Sequence, residues 1–120
     1  MAGVYGEINS RADFFRVLGE ASRTTSMLLG RVPQDPTIQS INAQLEAVKG
    51  WTARGRQPTE EERSKLDMGV RAMRELENTG DPVMDRYVLK IYAIANYFED
   101  WPSDEVASKA TDADFFNSFG

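Results

Sequence analysis

Asp-Pro occurs twice, at Asp35-Pro36 and Asp81-Pro82, and each time apolar residues recur behind it at three- and four-residue spacing. This pairing constrains the fold more than any other feature. An aspartate side chain can accept hydrogen bonds from the free amides of a first helical turn. Proline at the next position lacks only a donor that would have no partner there. Behind Pro36 the stripe is Ile38, Ile41, Leu45, Val48 and Trp51; behind Pro82 it is Met84, Tyr87, Val88, Ile91, Ile94, Ala95 and Phe98. Both stripes have the period of an amphipathic helix.

Two further segments carry their own start chemistry. Ser10 and Asp13 can form a capping box ahead of Phe14, Val17, Leu18, Ala21 and Leu28, with Gly30 placed to end that helix. Thr59 and Glu62 can form a second box, and Glu60, Glu61 and Glu62 suit the positive end of a helix dipole. The stripe expected there is Leu66, Val70, Met73 and Leu76, with Asp67–Arg71 and Arg71–Glu75 pairing on the wet side. Gly69 inside this third helix implies close approach of another helix, since glycine otherwise costs roughly 1 kcal/mol there. Short connections join the first helix to the second and the third to the fourth. The expected fold is all-α: four main helices in two antiparallel hairpins with a short helical C-terminal tail, in one domain over 120 residues. An N-terminal arm would occupy residues 1–9, the helical core 10–98 and an acidic, aromatic tail 99–120.

The composition removes most chemistry. Cysteine and histidine are both absent, so no disulfide, thiolate nucleophile, imidazole base or cysteine zinc site can be built. The expectation is a protein with no catalytic residues, metal or cofactor. Net charge is −5, and from Glu99 onward six carboxylates face Lys109 alone. Nucleic acid is a poor partner for such a chain, and a basic protein surface a better one. The first residues have no basic, apolar leader pattern and no stretch has the length of a membrane span, so a cytoplasmic, non-membrane protein is expected.

The fourth helix adds Val83, Leu89, Tyr92, Ala93 and Tyr97 to its stripe and is apolar around much of its circumference. Such a helix is central in the core, or it uses a second face on something else. Phe115, Phe116 and Phe119 of the tail could cover that face. So could a partner, for which Tyr92, Tyr97 and Trp101 are suitable anchors.

The third helix and the turn after it read Leu66-x-x-Gly69-x-x-Ala72-x-Arg74-Glu75-Leu76-Glu77, then Asp81-Pro82, with Gln44-Leu45 in the helix before. This pattern resembles the small all-helical immunity proteins paired with type VI secretion toxins that hydrolyse NAD(P)+. The resemblance covers about residues 10–98. Gly80 stands as one residue extra before Asp-Pro, and the tail exceeds the family's usual length. The resemblance implies a cytoplasmic protein that binds a cognate toxin domain, occludes its active site and catalyses nothing. The partner-binding residues expected on this basis are Arg74, Glu75, Glu77, Asp81 and Asp85 on the ridge of the third and fourth helices, with Tyr92 as anchor. The alternative is a helical adaptor that self-associates through its fourth helix and tail, and a homodimer stays open.

Overall fold

The computed structural model of the protein describes residues 5–76 and 80–103. Among these, four main helices and two single turns account for the architecture: α1 (Arg11–Arg31), α2 (Pro36–Trp51), a 3-10 turn (Ala53–Gly55), α3 (Glu60–Arg63), α4 (Met68–Leu76) and α5 (Pro82–Asp100). The all-α class expected from the periodicity is the observed one.

The start signals work as local chemistry says they should. The Asp35 carboxylate accepts from the Thr37 and Ile38 amides at 2.9 and 3.1 Å, and Asp81 accepts from the Val83 amide at 2.9 Å. The Thr59–Glu62 box is complete in both directions. At α1, Ser10 takes the Asp13 amide while the Asp13 carboxylate reaches past the cap to the Asn9 amide at 3.0 Å. Gly30 does not end this helix; α1 runs on to Arg31, and the Val32 amide closes on the Leu28 carbonyl.

Contacts between helices give the topology. Along α1 and α5, Thr25 meets Tyr87, Glu20 meets Lys90, Phe14 stacks on Tyr97, and Arg11 donates to the Pro102 carbonyl. One number rises as the other falls, so the two helices are antiparallel. Gln44–Met68 and Ser40–Arg71 show the same for α2 and α4. Each helix therefore packs antiparallel to its neighbours in a ring α1–α2–α4–α5. The core is filled by the fully buried Phe14, Val17, Ala21, Ile41, Leu45, Val48, Met68, Ile91, Ile94 and Phe98, and Ile8 of the N-terminal segment joins it.

The third helix departs from expectation. The single helix expected from Thr59 to Leu76 is broken at Ser64 and restarts as α4 at Met68, with Leu66, Met73 and Leu76 of the expected stripe packed half-buried against the core. Its buried residues are Met68, Gly69 and Ala72, while Val70, assigned by its apolarity to the inner stripe, is 64% exposed. Small residues face inward because α4 lies directly against α5. A methyl group added at Gly69 would stand 3.0 Å from the Ala95 Cβ and 3.4 Å from the Tyr92 Cα. The charged residues expected on the wet side turn toward α2 instead: Asp67 accepts from Gln44 at 2.6 Å, and Arg71 donates to Ser40 at 3.1 Å.

Two alanine substitutions should therefore have opposite signs. At Gly69 the atoms in the way are backbone or attached directly to it, and overpacking of that kind costs roughly 1–3 kcal/mol against a propensity gain of about 1. Gly69→Ala should lower stability by about 1 kcal/mol net. Gly19→Ala, where a methyl would meet nothing within 4 Å, should raise it by about 0.5–1 kcal/mol. Urea unfolding of both variants checks this, and a shared sign would refute the packing argument.

Candidate functional site

The two ends of the bundle are built differently. At the end holding the α5 C-terminus, Tyr5, Phe14, Tyr97, Phe98, Trp51 and Trp101 form one aromatic cluster with ring centroids 5.1 to 5.9 Å apart. The Arg11 guanidinium lies 3.7 Å from the Trp101 ring centroid. Arg63 donates to the Glu99 and Asp100 carbonyls, placing a cation on the negative end of α5. Tyr5 donates to Asp100 at 2.6 Å, and burial followed by that hydrogen bond pushes its hydroxyl up to about 12. A cavity of about 450 Å³ here is lined by Arg11, Arg56 and Trp101. Its cations are already engaged, Arg56 by Glu62 at 2.9 Å and by the Trp51 carbonyl.

The opposite end gathers the α1–α2 turn, the C-terminus of α4 and the N-terminus of α5. A groove of about 270 Å³ opens there between α1 and α5, lined by Thr24, Met27, Leu28, Arg31, Asp81, Val83, Met84 and Tyr87. Met27 is 62% exposed and Val83 68%. On the groove floor the Thr25 hydroxyl donates to the Ala21 carbonyl, so the Tyr87 hydroxyl donates to Thr25 at 2.6 Å. Burial pushes the Tyr87 hydroxyl above its ordinary range, which suits a fixed structural donor.

The expected ridge residues lie around this end but not on one face. Asp81 and Asp85 are exposed at the start of α5, and Asp81 is occupied as its cap. Arg74 is exposed near the end of α4 and its Nε lies 3.9 Å from the Glu75 carboxylate. Glu75 follows Arg71 by four residues, and Arg71 faces α2, so helical spacing puts Glu75 on the α2 side. Tyr92 is half-buried against Gly69, its Cδ2 3.6 Å from where a Gly69 Cβ would stand. Glu77 lies outside the described residues, as do Phe115, Phe116 and Phe119 of the tail.

Of the aromatic residues considered as anchors, Tyr97 is not available. It is 1% exposed and stacked on Phe14. Trp101 is likewise drawn into the aromatic cluster. Six large apolar side chains are exposed among the described residues, Phe15, Met27, Val32, Val70, Val83 and Leu89, and Met27, Val70, Val83 and Leu89 are the most exposed of them. Val83 and Leu89 were legible as surplus apolar positions of the fourth helix, and Met27 as a residue off the stripe of the first. Val70 carried the opposite signal. Among the described residues no three histidine, cysteine or acidic side chains are grouped to hold a metal ion, and no helix is long and apolar enough to cross a membrane.

The fold and this uncovered end define a small all-α bundle whose unburied apolar and charged side chains collect outside its own core. The chain belongs to the Tsi6 family, a family of type VI secretion immunity proteins, whose model matches residues 15–97. That span runs from the first turn of α1 almost to the end of α5 and takes in the Gln44, Gly69 and Asp81-Pro82 positions. No curated protein and no solved structure matches the chain.

The division between core and surface can be measured directly. Tyr97→Ala should cost about 3–5 kcal/mol, as truncation of a buried aromatic does. Val70→Asp should stay within about 0.5 kcal/mol of the parent, because a surface position tolerates the change. Chemical denaturation of both variants decides, and a large loss for Val70→Asp would place that residue inside.

Proposed function

We propose that this chain protects its cell by binding a cognate secreted antibacterial toxin domain and covering that enzyme's active site. Membership of an immunity-protein family carries the reading. The toxin is an NAD(P)+-hydrolysing enzyme, as the resemblance of the Gln44-Leu45 and Leu66-to-Pro82 pattern implies. Its target metabolite places the encounter in the cytoplasm. The chain's part is steric and electrostatic: it catalyses nothing and carries no cofactor.

The contact surface in this reading wraps around the α4–α5 ridge: Arg74, Asp81 and Asp85 are exposed along it, Glu75 stands on the α2 side of α4, Glu77 follows in the chain, and Tyr92 is the aromatic anchor. Exposed Val70 and Leu89 supply apolar area beside them. A stable complex needs about 800 Å² from each partner, with a few apolar or aromatic side chains providing most of the affinity. Acidic groups around such a centre accelerate capture of a basic surface. The net charge of −5 is of the right sign for that partner.

Mixing the chain in equal amount with the toxin domain encoded beside it should reduce NAD+ turnover to background, and calorimetry should give a nanomolar complex. Reversing two ridge charges together, Glu75→Lys with Glu77→Lys, should weaken binding by roughly tenfold or more. The unfolding midpoint should hardly move, since Glu75 is solvent-exposed. Unchanged affinity would remove the ridge from the interface. Undiminished turnover by the toxin at saturating chain would overturn the function itself.

A further inference from the structure

The geometry points to Gln44 as a positioning residue for partner binding, acting from α2 by setting where α4 begins and which of its side chains face outward. This rests on the reading of the chain as a toxin-binding protein. Gln44 Oε1 accepts from the Asp67 amide at 3.0 Å and from the Met68 amide at 2.9 Å. Its Nε2 donates to Asp67 Oδ1 at 2.6 Å and to Ser40 Oγ at 3.1 Å. One side chain from another helix thus serves two of the unpaired amides at the start of α4 and holds the carboxylate beside them.

Ser64 contributes locally to the break, its hydroxyl donating to the Glu61 carbonyl at 2.8 Å, but no strong helix breaker stands in the segment. Residues 59–76 contain a complete capping box at one end and no proline, and Ser64-Lys65-Leu66-Asp67 has no glycine. Left to itself this stretch reads as one helix with Leu66, Val70, Met73 and Leu76 inside. In a continuous helix the Asp67 and Met68 amides would bond to the carbonyls four residues back; here Gln44 takes them. The restarted helix buries Met68, Gly69 and Ala72 and turns Val70 and Arg74 out. Gln44 thus fixes where α4 restarts, and with it the positions from which Val70 and Arg74 face outward.

Gln44→Met keeps the length and removes all four hydrogen bonds. Its dissociation constant for the toxin domain encoded beside the chain should rise roughly tenfold, within the range of coupling through a shared hydrogen-bond network. Hydrogen exchange at the Gly69, Val70 and Arg71 amides should accelerate. Asp35→Ala removes a comparable cap from α2 and should leave affinity at the parental value, because loss of global stability does not change binding while the protein stays folded. The paired exchange Gln44→Glu with Asp67→Asn swaps donor for acceptor across the same contact. It should restore binding that Gln44→Glu alone loses. If the parent chain does not bind the toxin domain, the functional reading falls and this inference with it. If the parent binds and Gln44→Met binds equally well, or the paired exchange fails to restore what Gln44→Glu loses, the inference alone is overturned. Should Gln44→Met fail to fold, Gln44→Glu and the paired exchange decide by the same outcomes.

Discussion

Helix α4 has nine described residues, and everything distinctive about the molecule follows from how so short a helix is held. Isolated helices of fewer than about 12–15 residues are marginal in water, so α4 is stable only as a docked element. Three attachments hold it. Gly69 lets it approach α5 closely enough to touch Ala95 and the Tyr92 backbone. Gln44 receives its first amides, and Arg71 returns to Ser40 of α2. The glycine is unfavourable to the helix by itself by roughly 1 kcal/mol, so its place is justified only by the contact it permits. With α4 seated, the ring of four helices closes; without it, the faces of α2 and α5 that α4 covers would be open to water.

Local signals and tertiary ones were not equally legible. Asp35-Pro36, Asp81-Pro82 and Thr59-x-x-Glu62 each begin a helix because cap chemistry acts within four residues of chain. The all-α class and the stripes of α1, α2 and α5 followed from periodicity. The break before α4 did not, because Gln44, which takes its first amides, stands 23 positions away from Asp67. Apolarity there placed Leu66, Met73 and Leu76 rightly against the core and misplaced Val70, where close packing takes the small Gly69 and Ala72. Tyr92 and Tyr97 show the same limit. Both lie on α5, five residues apart, and only contact with Phe14 on another helix makes one of them core. Of the ridge, Asp81 and Asp85 are neighbours at the start of α5, whereas Glu75 falls on the α2 side of α4.

The contrast between the two ends gives the surface its sense. One end packs stacked rings, arginines on backbone carbonyls and the Tyr5–Asp100 bond around a cavity of about 450 Å³. The other leaves Met27 and Val83 in water around an open groove. Most of the clustered aromatic residues go to that first end, where Phe15 is nonetheless 41% exposed, so the exposure of Met27 and Val83 reflects how apolar material is distributed rather than a lack of it.

That distribution bears on affinity as well as on location. Burying a valine, leucine or methionine side chain is worth about 1.5–3 kcal/mol, and Met27, Val70, Val83 and Leu89 contribute only a fraction of this to folding because they remain 60–68% exposed. A partner that covers them gains their burial without the cost of ordering the backbone beneath, which is how a preorganised surface raises affinity beyond what its area would give. Such gain depends on the helices being fixed relative to each other before the encounter. In this chain the helix least able to fix itself is α4, and it carries Val70 and Arg74. The hydrogen bonds that hold its start therefore fix where those two side chains stand.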